Sequence, residues 1–411
     1  MARELLLCGT HAPNAVGDVR KTLAAAVRMQ INFALTTRMV LSVVVGAAAI
    51  AGCRPAEIPQ FTPSPAAAAL DDESADQEER DIWHKLQQQI AAELLKRCGT
   101  PLAPIVVGDP DADRTRLQLG AEVFAARCQQ CHGVNGDGQG IAAQYLSPKP
   151  RDYTKGIFKF TSTPYGAKPR RSDILQTLRR GVTGTSMPSF KDLAPEDLDA
   201  VADYLIYLSQ RGELENELVM MAQDDEELDA SYIDESVAGI RDRWHEAQSQ
   251  LVIPLTPMPA MTAETIAKGH ALFLQRECNK CHGANGRGGS FGNVDVGNDA
   301  WGHKAAAADL TSGMFRGGGR PIDIYRRIYS GINGTPMPAF DKVFVNEPDD
   351  MWYLVQFIRD TGERRRRNLP PLEGASAPVP TGPAPAKAPT EDSSDSSADA
   401  PIHAAPIDPR S

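Results

Sequence analysis

Apolar and polar positions along this 411-residue chain fall into blocks that predict helices, and most of the blocks occur twice in the same order. Residues 76–98 set Ile82, Trp83, Leu94 and Leu95 among charged and amide side chains and close on Cys98-Gly99, a helix ending on glycine. A second helix carries Gly120 and Phe124, four positions apart and so on one face, and Gly269 with Phe273 repeats that spacing. A third begins at Ala194-Pro195-Glu196-Asp197, an acidic first turn that suits the positive end of the helix dipole, and runs into Tyr204, Leu205, Ile206, Tyr207 and Leu208. Its echo starts at Pro348-Asp349-Asp350 and reaches Tyr353, Leu354, Val355 and Phe357. Shorter blocks at 170–181 and 320–331 each lead to a glycine cap. The expectation is a mostly α fold of two tandem helical domains with irregular loops, the flanking segments disordered.

Two stretches fall outside that rhythm. Residues 39–52 form an apolar run after Arg38, shorter than the roughly 20 residues a membrane span needs. It suits the apolar part of an export signal, and Ile50-Ala51-Gly52-Cys53 resembles a bacterial lipoprotein cleavage box, which implies lipidation at Cys53. An uncleaved membrane anchor is the alternative. The preceding 38 residues are long and mixed for a signal, so Met29 or Met39 is the expected start and Cys8 an incidental residue. At the other end, residues 369–411 are rich in Pro, Ala, Ser and Asp, a composition unable to bury a core.

Charge alters the picture locally. The balance of 43 Lys and Arg against 53 Asp and Glu, net −10, argues against nucleic acid as a partner. Residues 213–240 hold ten carboxylates and no Lys or Arg, which reads as an acidic connector. By contrast Lys149, Arg151, Lys155, Lys159, Lys168, Arg170, Arg171, Arg179 and Arg180 crowd one stretch of the first domain. They would steer an acidic partner, bind the chain's own connector, or form a solvated face. Arg364 to Arg367 either contact an anionic membrane or end the last helix favourably.

The chemistry lies in Cys128-Gln129-Gln130-Cys131-His132 and Cys278-Asn279-Lys280-Cys281-His282. Two thiols three positions apart followed by histidine is the pattern of covalent c-type haem attachment, in which the thiols tether the macrocycle and the imidazole binds iron. From His132 to Met187 is 55 positions, and from His282 to Met337 is 55 again. Both methionines sit in one phrase, Gly184-Thr185-Ser186-Met187-Pro188-Ser189-Phe190 and Gly334-Thr335-Pro336-Met337-Pro338-Ala339-Phe340. The proline after each methionine disfavours helix there, so the thioether projects from a loop as a second iron ligand. Glycines follow each histidine, at 133, 136, 138 and 140 and at 283, 286, 288 and 289, and would let backbone pass close to a porphyrin. A redox dithiol has no use for the adjoining histidine, and a zinc site needs four clustered ligands.

With these residues in hand, the two segments resemble class I cytochrome c domains in tandem, of the bacterial dihaem type. The resemblance covers about half the chain and implies two covalently attached haems c. It also implies His132 and His282 as proximal ligands, Met187 and Met337 as distal ligands, and Cys128, Cys131, Cys278 and Cys281 as tethers. In that family the helix before the haem motif is crossed by the last helix of the domain, and Arg151 lies in a stretch near the haem propionates. Arg151 is thus a propionate partner or a solvated cation, with Ala308 at the corresponding place. His84 and His245, on helices that echo each other, read as surface or packing residues. Cys98 reads as a buried or unpaired thiol, or as an intermolecular disulfide.

The organisation expected is an export segment at 1–53, a tether and leading helix at 54–111, the first haem domain at 112–212, an acidic connector with a helix at 213–259, the second haem domain at 260–365 and a tail at 366–411. The function implied is transfer of single electrons between membrane or periplasmic redox partners, or within a respiratory complex, by a protein held on the periplasmic side of a bacterial membrane. A haem enzyme, either a dihaem peroxidase or the cytochrome subunit of a dehydrogenase or terminal oxidase, is the alternative.

Overall fold

The computed structural model describes residues 59–70, 76–288 and 294–372. Cys53, the export segment and most of the C-terminal tail lie outside these residues. The described residues from Gln60 onward form one compact unit. It contains eleven α-helices and a single two-stranded antiparallel pair, β1 (Gly99–Thr100) with β2 (Ala103–Pro104), among the described residues.

The first half begins with α1 (Pro65–Ala68) and α2 (Gln77–Cys98), whose N-cap Asp76 accepts from the Glu79 amide and whose C-cap is Gly99 at φ 75°. Then come α3 (Thr115–Arg127), the single turn α4 (Gln129–His132), α5 (Arg171–Arg180), α6 (Pro195–Asp225) and α7 (Ala230–Glu246). The second half repeats the central part as α8 (Ala263–Gln275), α9 (Asn279–His282), α10 (Pro321–Tyr329) and α11 (Pro348–Arg366). Each half has its own apolar core: one gathers buried residues from Ala67 to Trp244, the other from Val252 to Ile358.

The helix crossing is the same in both halves. A side chain at Gly120 would collide with the carbonyl of Ala200 on α6, and one at Gly269 with the carbonyl of Tyr353 on α11. Only glycine lets the axes approach so closely. One turn on, Phe124 meets Tyr204 with ring centroids 5.3 Å apart, and Phe273 meets Phe357 at 5.1 Å.

Three stretches depart from the sequence expectation. Helix α6 runs unbroken to Asp225, so the 212/213 boundary falls inside a helix, and Leu214, Leu218 and Ala222 continue its buried stripe. The carboxylates there are partly internal: Arg211 pairs with Glu215 at 2.9 Å, while Glu213 takes Lys168 and, at 2.6 Å, the indole N–H of Trp244. Helix α7, whose sequence echoes α2, does not lead the second domain. Its Ile233, Val237, Ile240 and Trp244 belong to the first core, and Asp234 pairs with Arg97 of α2 at 2.7 Å. Finally, residues 60–70 lie on the first domain instead of hanging free. Phe61 sits under Arg211 at 4.0 Å, Thr62 exchanges hydrogen bonds with Asn135, and Ala67 and Leu70 are buried.

The two halves differ in two loops of matching size. From Gly138 to Arg151 is 13 positions, but from Gly288 to Ala308 is 20; from Thr154 to Arg170 is 16, but from Thr311 to Arg320 is 9. Each half is thus seven residues longer at one place and seven shorter at the other, which preserves the 55-residue interval. These two extra lengths meet. Lys159 in the first pairs with Asp299 in the second at 2.9 Å, Lys155 donates to the Ala300 carbonyl at 2.8 Å, and Arg151 stacks over Trp301. Arg327 reaches across from α10 to the carbonyls of Lys159 (3.0 Å) and Thr161, Ser330 donates to Thr163 (2.8 Å), and Asn333 accepts from Gly166 N–H (3.0 Å).

Candidate haem sites

Cys128 and His132 are brought together by one turn of helix, because the His132 amide bonds to the Cys128 carbonyl at 2.9 Å and Gly133 ends the turn with φ 77°. His282, Cys278 and Gly283 repeat this, with the same 2.9 Å and φ 73°. The second motif stands one residue farther from its phenylalanine. The extra residue is absorbed at Glu277, which adopts φ 61°, while the Cys278 amide reaches back to Phe273 at 3.0 Å. In the first half Cys128 bonds to Phe124 at 2.8 Å with no such kink.

Each imidazole is held from behind by a backbone carbonyl. His132 Nδ1 is 2.9 Å from the Arg151 oxygen, and His282 Nδ1 is 3.1 Å from that of Ala308. A carbonyl can only accept, so Nδ1 carries the proton and Nε2 keeps a lone pair of the kind a metal takes. Burial lowers both histidine pKa values, against the opposing pull of those carbonyls. Both rings are therefore neutral at pH 7, the form that coordinates metal. The strand supplying the carbonyl is fixed identically in the two halves: Tyr153 N–H bonds to Gly136 and Leu310 N–H to Gly286, each at 2.7 Å, and Asp152 and Asp309 each cap the threonine two residues on. Arg151 and Ala308 are thus true counterparts through their backbones.

The methionine loops also match. Val182 N–H bonds to the Met187 carbonyl at 3.2 Å and Ile332 N–H to that of Met337 at 3.1 Å. Thr185 and Thr335 hydroxyls donate back to Val182 and Ile332 at 2.8 Å and accept from the methionine amides. Gly181 (φ 70°) and Gly331 (φ 61°) admit the returning backbone, where a side chain would strike Pro188 or Met337.

In the second half Cys278, Cys281, His282 and Met337 line one cavity of about 1630 Å³, with Phe273, Ile328 and Phe340 among its walls. The residues fit a haem. Arg276, Trp301 and Arg327 line this cavity too, and Arg276 Nε, Trp301 Nε1 and Arg327 Nε are buried donors with no acceptor among the described residues. An apolar slot with four ligating and tethering atoms and unanswered donors suits a flat hydrophobic ring bearing carboxylates. In the first half Cys128, Met187 and Phe190 pack on the same core as Tyr153 and Leu178, with His132 buried beside them.

Competing chemistries fare poorly. Burial pushes the Cys128 thiol up to about 12 and the Cys278 thiol to about 11, so neither is a ready thiolate. The five cysteines among the described residues are free, and these residues hold no cluster of three His, Cys, Asp or Glu side chains suited to a metal ion. Cys98 is fully buried, which leaves no surface for an intermolecular disulfide, and burial raises its thiol to about 12. His84 and His245 are exposed on α2 and α7. Much of the basic stretch turns inward: Arg151 and Lys159 face Trp301 and Asp299, Lys168 meets Glu213, and Arg171 pairs with Asp199 and Asp203. Arg364 to Arg367 pair with Asp360, Asp309 and Glu363 at the end of α11. Trp301, Arg276 and Arg327 carried no motif, and the only sequence signal for Trp301 was its place in a stretch the first copy lacks.

A haem-binding, electron-transferring class of protein is what this fold and these paired sites define. The family model for cytochrome c matches residues 117–209 and 266–362, so both halves belong to the cytochrome c family and the chain carries two such domains in tandem. The chain is 30% identical over 114 residues to the Cbb3-type cytochrome c oxidase subunit FixP of Sinorhizobium medicae; the match takes in 26% of this chain and 34% of the relative, about a third of its length. It is also similar, at 30% identity and a TM-score of 0.47, to a chain of the Kuenenia stuttgartiensis reducing HAO-like protein complex, over 59% of this chain and 96% of that one.

Proposed function

We propose that this protein binds two haems c and relays single electrons between membrane or periplasmic redox partners. The observation that carries this reading is the exact duplication of the site's support: a proximal histidine fixed by a backbone carbonyl and a methionine loop closed by the same threonine bonds, once in each domain. Bound haem would supply an iron that alternates between ferric and ferrous. Cys128 with Cys131, and Cys278 with Cys281, would hold the macrocycles covalently. His132 with Met187, and His282 with Met337, would hold the iron of each haem, a ligand set that favours electron transfer at raised potential over substrate binding.

The likeness to an oxidase subunit favours a respiratory complex as one partner. Export and anchoring through Cys53, or through an uncleaved apolar segment at 39–52, would place the domains on the periplasmic side, where haem is attached. No helix of the described residues is long and apolar enough to cross a membrane.

The test is the optical spectrum of purified holoprotein, oxidised and reduced, with and without carbon monoxide, together with a haem count after pyridine treatment. Two haems per chain, a near-infrared sulfur-to-iron band from both, and a reduced spectrum indifferent to carbon monoxide are expected. A haem that lacks the band and takes up carbon monoxide would have an open iron and make the enzyme reading the better one.

A further inference from the structure

We infer that Trp301 and Arg151 form the junction through which the two haem sites exchange electrons. The inference rests on the two-haem reading above and adds the route between them.

Four observations converge on this pair. Arg151 supplies, through its carbonyl, the acceptor that fixes His132, while its guanidinium carbon lies 3.7 Å from the centroid of the Trp301 ring. Trp301 in turn lies against the distal loop of the other site: Ala300 N–H bonds to the Gly334 carbonyl at 2.9 Å, and a side chain at Gly334 would stand 2.8 Å from the Trp301 ring. Trp301 also shares the wall of the cavity with His282 and Met337, its indole N–H buried and without an acceptor among the described residues. The same cavity is walled on its far side by Gly138, Gly140, Thr183 and Gly184, which belong to the glycine-rich and methionine loops of the first domain. One ring therefore touches the residue that orients the first haem's histidine and the loop that presents the second haem's methionine.

The surroundings keep that contact tight. Lys159 lies 5.1 Å from the Trp301 centroid and pairs with Asp299 at 2.9 Å, with only 8% of the Asp299 side chain exposed. Close packing matters because a gap at van der Waals scale forfeits contact outright. Trp301 lies in the stretch that makes the second domain longer, and Arg151 stands just before the longer loop of the first, so the ring of an inserted residue meets a side chain whose counterpart, Ala308, has none to offer. With haem bound at both sites the step would move one electron and make or break no bond, the ferrous site being oxidised as the ferric site is reduced, and it would need no proton.

The experiment follows redistribution of an electron between the haems of the full holoprotein after flash photoreduction to the half-reduced state. It compares the natural chain with Trp301→Leu and Trp301→Phe. Both haem potentials are titrated in each variant, to separate driving force from coupling, and hydrogen exchange over 155–168 and 294–304 reports docking. Trp301→Leu is expected to slow exchange by roughly tenfold or more at matched driving force, and Trp301→Phe to recover most of the rate. Unchanged exchange in a docked Trp301→Leu protein would overturn the inference. Should Trp301→Leu loosen the docking, Arg151→Leu, which leaves the carbonyl and the Lys159 to Asp299 pair in place, decides by the same criterion. The haem count and near-infrared band are read on the same samples, so failure of the two-haem reading shows there and not in the exchange rate.

Discussion

Asp350 stands in the first turn of α11, and burial, together with a hydrogen bond and repulsion from Glu347, pushes its carboxyl up to about 6 from 3.8. A carboxyl whose folded pKa exceeds its unfolded one lets the native state hold the proton better. The stability this confers is complete below about 3.8 and is lost as pH rises through about 6. Asp350→Asn, which stays neutral, is expected to stabilise the second domain by something on the order of 1 kcal/mol at pH 8, since the half-exposed group is screened, and by little at pH 4. Denaturant midpoints at the two pH values check this, and an equal gain at both would refute it. At this scale the sequence was legible wherever chemistry demands a residue type. The four motif cysteines, the two histidines that follow them and the two methionines sit in matching turns and loops, and the repeat itself marked them. Arg151 was only half legible: its carbonyl serves His132, a role any residue can fill, and its side chain is committed to a tryptophan 150 positions away in sequence.

Among the elements, the two helix crossings make the sharpest claim. Gly269→Ala places a methyl group against the Tyr353 carbonyl across α8 and α11, and overpacking of this kind is expected to cost about 1–3 kcal/mol. Gly239→Ala in α7 is the control, since its added methyl would meet only the end of the Arg243 side chain at 3.4 Å. There the better helix former should add about 0.5–1 kcal/mol. Equilibrium unfolding of both variants gives the comparison, and similar effects of like sign would remove the argument for close approach. The same helices show where charge misled. Glu213, Glu215 and Glu217 suggested an acidic connector, yet Leu214, Leu218 and Ala222 at four-residue spacing carry the buried face of α6 straight through them. What a count of carboxylates could not reveal is that Arg211, Lys168 and Trp244 come from other turns and segments to meet them.

For the whole molecule, the joining of the domains is the feature least visible in sequence, because each inserted loop is polar and its partner lies some 140 positions away. Arg327 is the strongest single tie: it leaves α10 to donate to the carbonyls of Lys159 and Thr161, and burial lowers its pKa to about 10. Its removal would strand two carbonyls that now have a charged donor, at a cost of about 1–3 kcal/mol each. In the natural protein the domains should therefore unfold in one calorimetric transition, held together by this arginine and by Ser330 and Asn333. Arg327→Met is expected to split that transition in two, each component assigned to its domain by hydrogen exchange across the melt. Hydrogen exchange should rise over 155–168 while the α3 to α6 and α8 to α11 crossings stay protected, because those rest on separate cores. A single transition at an unchanged midpoint would mean that the loops merely touch, and that the two domains share a chain without sharing stability.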